Sequence, residues 1–428
     1  MKKPLLILFT NYFPCGKKET FLEVEVDYLR EFFQIVIIPW QLYQIDIQED
    51  CRSVPGDVLV RTDIAERLSW RLRDIIVWIA SHPRTLQEIL FVIMASRKEF
   101  IQTKNLVYWW QLLRFLVRSV QLARLTEDTL SDNADIVYSY WLTSSAMAGA
   151  LMKRSGTAAV VVSRVHSIDL YHYRSPLGFV CGQLTTLNFL DKVFCISAHG
   201  ANYLRQRYPQ HASKIELNRL GVRPASLLNP GSQGGVLRLV SCAHLSSVKR
   251  IELLVEALAQ CKIPITWTHL GGGELEEKIR RLASTLPGNI QWQVTGILRN
   301  QDVLQFYREN PVDLFINVSV VEGLPVAIME AMSYGIPVAA TDVGGVSELV
   351  RLGENGYLWP ADIGPDAIVA TLQQFYSLSD ARKNAMRKKA WQAWHDRVNA
   401  DIQYPDFARR LLEMIPTENP TSSISESA

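Results

Sequence analysis

Charge of one sign is nearly absent from the balance of this sequence: 45 Lys and Arg stand against 43 Asp and Glu, a formal net charge of +2 over 428 residues. So weak a global field excludes nucleic-acid or polyacid binding driven by overall charge, and any basic surface must be local. Long apolar runs are missing too. The longest, Ile75 to Ala80 and Ile89 to Ala95, reach about a third of the roughly 18 residues that a bilayer-spanning helix needs. The chain is not expected to span a membrane, though it can sit on one. The apolar run Leu5 to Phe9 is too short for a signal-peptide core and leads into Asn11-Tyr12-Phe13-Pro14, so it is expected to be a first buried strand. Cysteine is sparse: six residues, at 15, 51, 181, 195, 242 and 261, with no CxxC pair. That spacing suggests neither a zinc site nor a disulfide framework, and a reduced cytoplasm is the natural reading.

What is present is an ordinary globular composition, 48% hydrophobic and 21% charged, at a length that predicts two domains of roughly 150–250 residues. Short β-branched runs (LLILF, IVIIPW, AAVVVSRVHS, LRLVSCAHL, DLFINVSV) alternate with amphipathic segments through most of the chain. Strand-then-helix order of this kind predicts parallel sheets covered by helices. The turn-rich segment 229–235, NPGSQGG, divides the alternation near mid-chain. Two Rossmann-like domains follow, residues 1–225 and 236–395, with a hinge at 226–235, a helix over 396–415 returning to the first domain, and a polar, disordered tail at 416–428.

Residues 61–124 interrupt this rhythm with long helical periodicity, a basic local balance, and Trp70, Trp78, Trp109 and Trp110 among Leu, Ile and Phe. Two readings fit. Either the segment lies on an anionic membrane, with aromatics in the headgroup layer and arginines on lipid phosphate, or it is a helical insertion packed inward with solvated arginines. Both produce the same apolar stripe.

The densest chemistry lies in residues 314–349, LFINVSVVEGLPVAIMEAMSYGIPVAATDVGGVSEL. A buried strand leads into a loop, Pro325 is placed for a first helical position, and Gly335 ends the helix. The amides and dipole of that helix start suit an anion such as a nucleotide diphosphate. Glu322 precedes the helix and Glu330 lies within it, one acid on either flank of the phosphate site. A carboxylate can accept two hydroxyls of a diol, so one acid can hold a sugar and the other a ribose.

These residues resemble a known family. Glu322 and Glu330 in EGLPVAIME, followed by AMSYGIPV and TDVGGVSELV, are similar to the E-x7-E motif of glycosyltransferase family 4, the retaining transferases of the GT-B fold. The resemblance implies two Rossmann-like domains facing across a cleft, with the helical insertion in the N-terminal one. It implies that Glu322, Lys249 and His166 stand at the reacting centre. Donor binding would fall to Glu330, Gly323, Leu324, Pro325 and Val326, with Lys249 on the diphosphate. The family carries an arginine five residues before that lysine; here the position is His244, and Arg250 is the candidate replacement. Gly272, in the glycine turn after ITWTHL, and Ile297, in the Thr295-Gly296-Ile297-Leu298 loop, complete the implied donor side. The triple glycine is not GxGxxG, which argues against a nicotinamide enzyme. The first loop, with Lys17, Glu19 and Thr20, resembles that of relatives acting on surface polysaccharides. Together with Arg164 and Asp169 at the end of AAVVVSRV, it is expected on the acceptor side.

The implied reaction moves a sugar from a nucleoside diphosphate to an acceptor hydroxyl with retention, by a front-face path in which a phosphate oxygen assists deprotonation. Helix amides and Lys249 would stabilise the leaving phosphate, and no cofactor or divalent metal is expected. The implied partners are a nucleotide-sugar and a lipid-linked saccharide, with peripheral contact to an anionic membrane and no nucleic acid. The expected place is the cytoplasmic face of a bacterial plasma membrane, in capsule, exopolysaccharide or O-antigen synthesis. Two alternatives stay open: a non-hydrolysing nucleotide-sugar epimerase on the same fold, and a non-catalytic, membrane-docked assembly subunit.

Overall fold

Runs of Val, Ile, Leu and Phe become strands here because helices cover both faces of each sheet, so nearly every strand position can be buried. The computed structural model describes residues 2–16, 19–42, 51–68, 83–97, 106–175, 178–232 and 234–416. Among these, β1 (Leu5–Thr10), β2 (Gln34–Pro39), β3 (Leu59–Val60), β4 (Ala134–Ser139), β5 (Ala158–Val165), β6 (Lys192–Cys195) and β7 (Ile215–Leu217) form one sheet in the order β3-β2-β1-β4-β5-β6-β7. A second sheet joins β8 (Leu237–Cys242), β9 (Ile265–Leu270), β10 (Ile290–Val294), β11 (Leu314–Asn317), β12 (Val338–Thr341) and β13 (Gly356–Trp359) in the order β10-β9-β8-β11-β12-β13. Neighbouring strands are parallel, with Leu8 opposite Ile37 and Tyr138 in the first sheet and Leu239 opposite Trp267 in the second. Strand order reverses between β1 and β4 and again between β8 and β11. In open parallel sheets those reversals are where the loops part and ligands bind.

The two sheets share a core. One apolar cluster runs from Leu8 and Tyr138 through Phe407 and Leu411 of the Ala400–Met414 helix to Ile328 and Met329. The chain crosses between the units twice, side by side: Val222 N–H donates to Val398 O (2.8 Å) and Ala400 N–H to Val222 O (3.0 Å). The turn-rich segment lies beyond this crossing and belongs to the second unit. Asn229 Nδ2 donates to Tyr307 O (2.6 Å) and Asn310 O (2.8 Å), while its Oδ1 accepts from Val312 N–H (3.0 Å).

The sequence reading missed one feature. Cys15 and Cys51, 36 positions apart in sequence, form a disulfide across an isolated antiparallel bridge. Sequence spacing says nothing about which distant segments cross, so the pair was invisible there, and it departs from the all-thiol expectation. Cys195, Cys242 and Cys261 remain thiols.

In the interrupting segment, the helices Pro83–Ala95 and Leu106–Thr129 bury Ile89, Val92, Leu112, Leu116 and Val120 against the first sheet. Trp109 and Trp110 instead remain 45% and 49% exposed. Trp70, Trp78, Lys17 and the tail from 417 lie outside the described residues. No helix among the described residues is long and apolar enough to cross a membrane.

Candidate functional site

The second sheet's reversal puts the loop after β8 beside the loop after β11, and these are the segments that carry Lys249 and Glu322. Lys249 closes a short turn, Ser247–Lys249, and its Nζ donates to Glu322 Oε1 at 2.6 Å. Asn317 Nδ2 adds a longer contact to the same oxygen at 3.3 Å. Glu322 is only 9% exposed, so its charge is tolerated there through that ammonium.

Behind Glu322 the loop is held by its backbone. Gly345 N–H donates to Gly323 O (2.8 Å). At Gly344, with φ +60°, a side-chain carbon would lie 2.0 Å from Glu322 O. Only glycine satisfies both the left-handed conformation and the close approach. Pro325 caps the Val326–Ser333 helix with extended backbone (φ −74°, ψ 110°), one residue before the position the sequence suggested. The first intrahelical bonds run from Ile328 and Met329 N–H to Pro325 O. Amides ahead of them have no acceptor within the helix and face the loop.

Glu330 sits in the middle of this helix, 7% exposed. Asn300 Nδ2 donates to its Oε1 at 2.6 Å, and burial still lifts the carboxyl from 4.5 to about 7. It lines a cavity of about 90 Å³ whose other walls include Asn300, Val326 and Tyr334 from the second unit, Thr20 and Phe21 from the first, and Arg223 from the crossing segment. Cys242, at the carboxyl end of β8, lies within electrostatic reach of both Glu330 and Lys249 and is pushed up to about 12 chiefly by burial.

The first unit faces this loop with the segment after β5. A side-chain carbon at Gly323 would lie 3.3 Å from Ser167 Cβ and 3.1 Å from Ile196 Cδ1. His166, just before Ser167, is packed between Trp141 (4.4 Å between ring centroids) and Tyr140 (4.8 Å), with Phe21 of the cavity wall at 5.9 Å. Burial, reinforced by the charge of Arg164, lowers this histidine to about 3, so the ring is neutral. Its Nε2 is buried with no hydrogen-bond partner. The nitrogen lies one ring away from the cavity wall at Phe21, and an orphaned polar atom of this kind calls for a partner.

Of the residues expected at the site, Lys249 meets Glu322, Gly323 lies against Ser167 next to His166, and Val326 and Glu330 line the cavity together with Thr20. Other residues from the sequence reading are committed elsewhere. Arg164 is fully buried: Nη2 pairs with Glu25 Oε1 (2.8 Å), Nε donates to Tyr138 Oη (2.7 Å) and Nη1 to Asn218 O (2.9 Å). Asp169 accepts from Leu142 N–H and His166 N–H, both at 2.7 Å. Glu19 accepts from the amides of Asn11, Tyr12 and Phe13 and from Trp141 Nε1. These three side chains hold loops in place. Arg250 takes a left-handed backbone (φ +48°) and its Nε donates to Val318 O at 2.7 Å. His244 is exposed and pairs with Glu274 (2.9 Å). Gly272 allows the close approach of Ile297 N, 2.9 Å from where its side-chain carbon would be, and Ile297 itself is exposed. Asn300, Phe21 and Trp141 were not read as site residues, because their roles depend on contacts with distant segments. Among the described residues no cluster of three His, Cys, Asp or Glu could hold a metal.

Two parallel sheets meeting across a cleft, with acids and a lysine around a helix start at the second reversal, define a GT-B protein. Solved structures agree over nearly the whole chain. The lipopolysaccharide outer core galactosyltransferase WaaB matches with a TM-score of 0.65 at 16% identity, over 96% of this chain and 99% of that one. Sucrose-phosphate synthase from Thermosynechococcus elongatus matches at 0.70 and 14%, also over 96% and 99%. Anabaena HepE, solved with UDP-glucose, matches at 0.60 and 16%, again over 96% and 99%. In sequence, residues 229–392 match the family model for Glycosyl transferases group 1. The match lies within the second unit, the part of the chain that is similar to glycosyltransferase family 4. The putative colanic acid biosynthesis glycosyltransferase WcaL of Salmonella typhimurium is 27% identical over 215 residues, 48% of this chain and 51% of the relative. The amylovoran biosynthesis glycosyltransferase AmsK of Erwinia amylovora is 28% identical over 160 residues, 35% and 39% of the two chains. The chain thus spans about half the length of the first curated relatives it matches.

Proposed function

We propose that this chain is a retaining glycosyltransferase that moves a sugar from a nucleoside-diphosphate-sugar to a lipid-linked saccharide in bacterial capsule, exopolysaccharide or O-antigen synthesis. The observation that carries the reading is the Lys249–Glu322 pair at the reversal between β8 and β11, beside the amides at the start of the Val326–Ser333 helix. The diphosphate lies at those amides with Lys249 as its cation, so charge developing on the departing phosphate meets donors already in place. Glu322 takes sugar hydroxyls and Glu330 the ribose diol. His166, neutral at pH 7, offers a hydrogen bond near the sugar and is too weakly basic to take up a proton there. The donor class is supported by relatives solved with UDP-sugar components, HepE with UDP-glucose and the pneumococcal GtfA with UDP and GlcNAc.

A lipid-linked acceptor is supported by the interrupting helices. Leu90, Met94, Trp109, Trp110 and Leu113 are exposed there, beside the exposed Arg97 and Arg114. That combination suits the headgroup layer of an anionic bilayer on the cytoplasmic side.

The test is thermal protection by UDP, GDP, ADP and their sugars, since a ligand that binds only the folded chain raises its midpoint. One nucleotide series raises the midpoint of wild type and leaves Lys249→Ala unmoved. Product formed from the donor with no acceptor present identifies an epimerase instead, and no protection by any nucleotide removes the transferase reading.

A further inference from the structure

Glu348 belongs to the GGVSEL stretch, yet neither the donor nor the acceptor reading uses it. It ends a short turn, Val346–Glu348, in the second unit, and its side chain reaches into the first. Oε1 accepts from His199 N–H at 2.9 Å; Oε2 accepts from Arg219 Nη2 at 2.7 Å and Nε at 3.2 Å. His199 lies in the first turn of the Ala198–Arg207 helix, whose amides have no acceptor within the helix. A carboxylate there meets the positive end of the helix dipole and a guanidinium fork together, so one side chain supplies a charge-assisted clasp between the units. Only 14% of the Glu348 side chain and 22% of that of Arg219 is exposed, so solvent screens the pair less than a surface bridge. Arg397 Nη1 donates to the Glu348 carbonyl, which fixes the turn from the other side.

The clasp lies three residues from the donor loop's own anchor. Gly345 N–H holds Gly323 O, and a side-chain carbon at Gly345 would lie 2.8 Å from Ser197 Cβ, the cap of the helix that Glu348 clasps. The loop bearing Glu322, the turn bearing Glu348 and the first unit's helix are thus in one unbroken contact, which Arg219 and Arg397 tie to the crossing at Val222 and Asn399. We infer that Glu348 is a positioning residue: its clasp on His199 N–H and Arg219 holds the two units closed and sets the Glu322 loop against the segment carrying His166. The inference rests on the proposed transferase reading only in what the closed cleft is for.

Three variants of the full chain test it: Glu348→Ala, Glu348→Gln and Arg219→Ala, each measured by small-angle X-ray scattering, urea unfolding and calorimetric titration with UDP. Removing the carboxylate or its arginine is expected to shift the scattering of the nucleotide-free chain to a more extended form. UDP binding weakens about three- to tenfold as the closed, binding-competent fraction falls. Glu348→Gln keeps an acceptor for His199 N–H without the charge and falls between wild type and Glu348→Ala. Scattering identical to wild type in both Glu348→Ala and Arg219→Ala overturns the clasp. So does a lowered urea midpoint with unchanged scattering and UDP affinity, which marks a purely stabilising contact. If wild type binds no UDP, GDP or ADP, the nucleotide-sugar reading fails, and the scattering comparison still decides the clasp.

Discussion

Replacing Glu330 by glutamine separates the electrostatics of this site from its shape. The carboxyl is buried in the Val326–Ser333 helix and raised from 4.5 to about 7, with burial the dominant cause and the Asn300 amide opposing it. Around it stand Cys242, Tyr307 and Tyr334, all pushed up and neutral at pH 7, and Arg223 shares the cavity wall. In the unfolded chain the group ionises near its ordinary value, so between the two values the folded chain holds a proton that the unfolded chain has lost. Stability from this group is therefore full below about pH 4.5 and lost as pH rises through about 7. Ionising it in place costs about 3 kcal/mol. Glutamine keeps the oxygen that accepts from Asn300 and removes the titration. Urea unfolding at pH 5 to 8 should show Glu330→Gln close to wild type at the acid end and more stable by up to about 3 kcal/mol at pH 8. Asp169, likewise raised to about 7 by burial, titrates in both proteins and cancels in the difference. Nucleotide affinity should move the other way. On the proposed reading, ribose hydroxyls donate to the ionised carboxylate, so wild-type affinity should rise with pH to a plateau above about 7. The variant binds about tenfold more weakly and lacks this component. Parallel stability curves for the two proteins would refute the reasoning, since they would mean that this carboxyl is not held protonated by its surroundings.

Gly344→Ala should lower the urea midpoint by more than about 2 kcal/mol, from the left-handed backbone and the 2.0 Å approach to Glu322 O, and should abolish nucleotide protection because the donor loop is displaced. Arg164→Met leaves Glu25 buried and unpaired and should cost about 3–5 kcal/mol. Pairing it with Glu25→Gln should recover most of that loss, with the nucleotide affinity of the folded protein unchanged by calorimetry throughout.

The second unit was legible because its chemistry is local. Glu322, Gly323, Pro325 and Glu330 lie within one loop and one helix, so their spacing already fixes their relative positions. Lys249 came from the family resemblance, which expects a lysine after the first strand of this unit. The first unit was less legible, since its polar residues are defined by partners far away in sequence. Arg164 at a strand end reads as a cleft residue until Glu25, 139 residues away, neutralises it in the core. Strand side chains alternate between faces, and nothing local says which face of β5 is covered by the returning Ala400–Met414 helix. Glu19 and Asp169 read as acceptor-side acids, but both satisfy loop amides that would otherwise be buried without partners. Glu348 was visible as a motif position, yet its partners come from the other unit. The Cys15–Cys51 disulfide was hidden for the same reason.

This asymmetry bears on how a proton would leave the acceptor hydroxyl. In the first unit, His166 is neutral and too weakly basic at about 3 to be a proton acceptor near pH 7. Glu19 and Asp169 spend their oxygens on backbone amides, and Arg164 and Glu25 neutralise each other away from the cleft. In the second unit, Glu322 already accepts from both Lys249 and Asn317 through one oxygen. On the proposed transferase reading, the acceptor left at the reacting centre is the diphosphate that the donor would bring. As the bond to the sugar breaks, its oxygen gains charge on the face from which the sugar departs. A hydroxyl approaching on that face can pass its proton to that oxygen while attacking the anomeric carbon, and retention follows. Protein residues then need only hold and stabilise, which suits the proposed roles of Lys249 and the helix amides at the phosphate and of Glu322 and Glu330 at the diols.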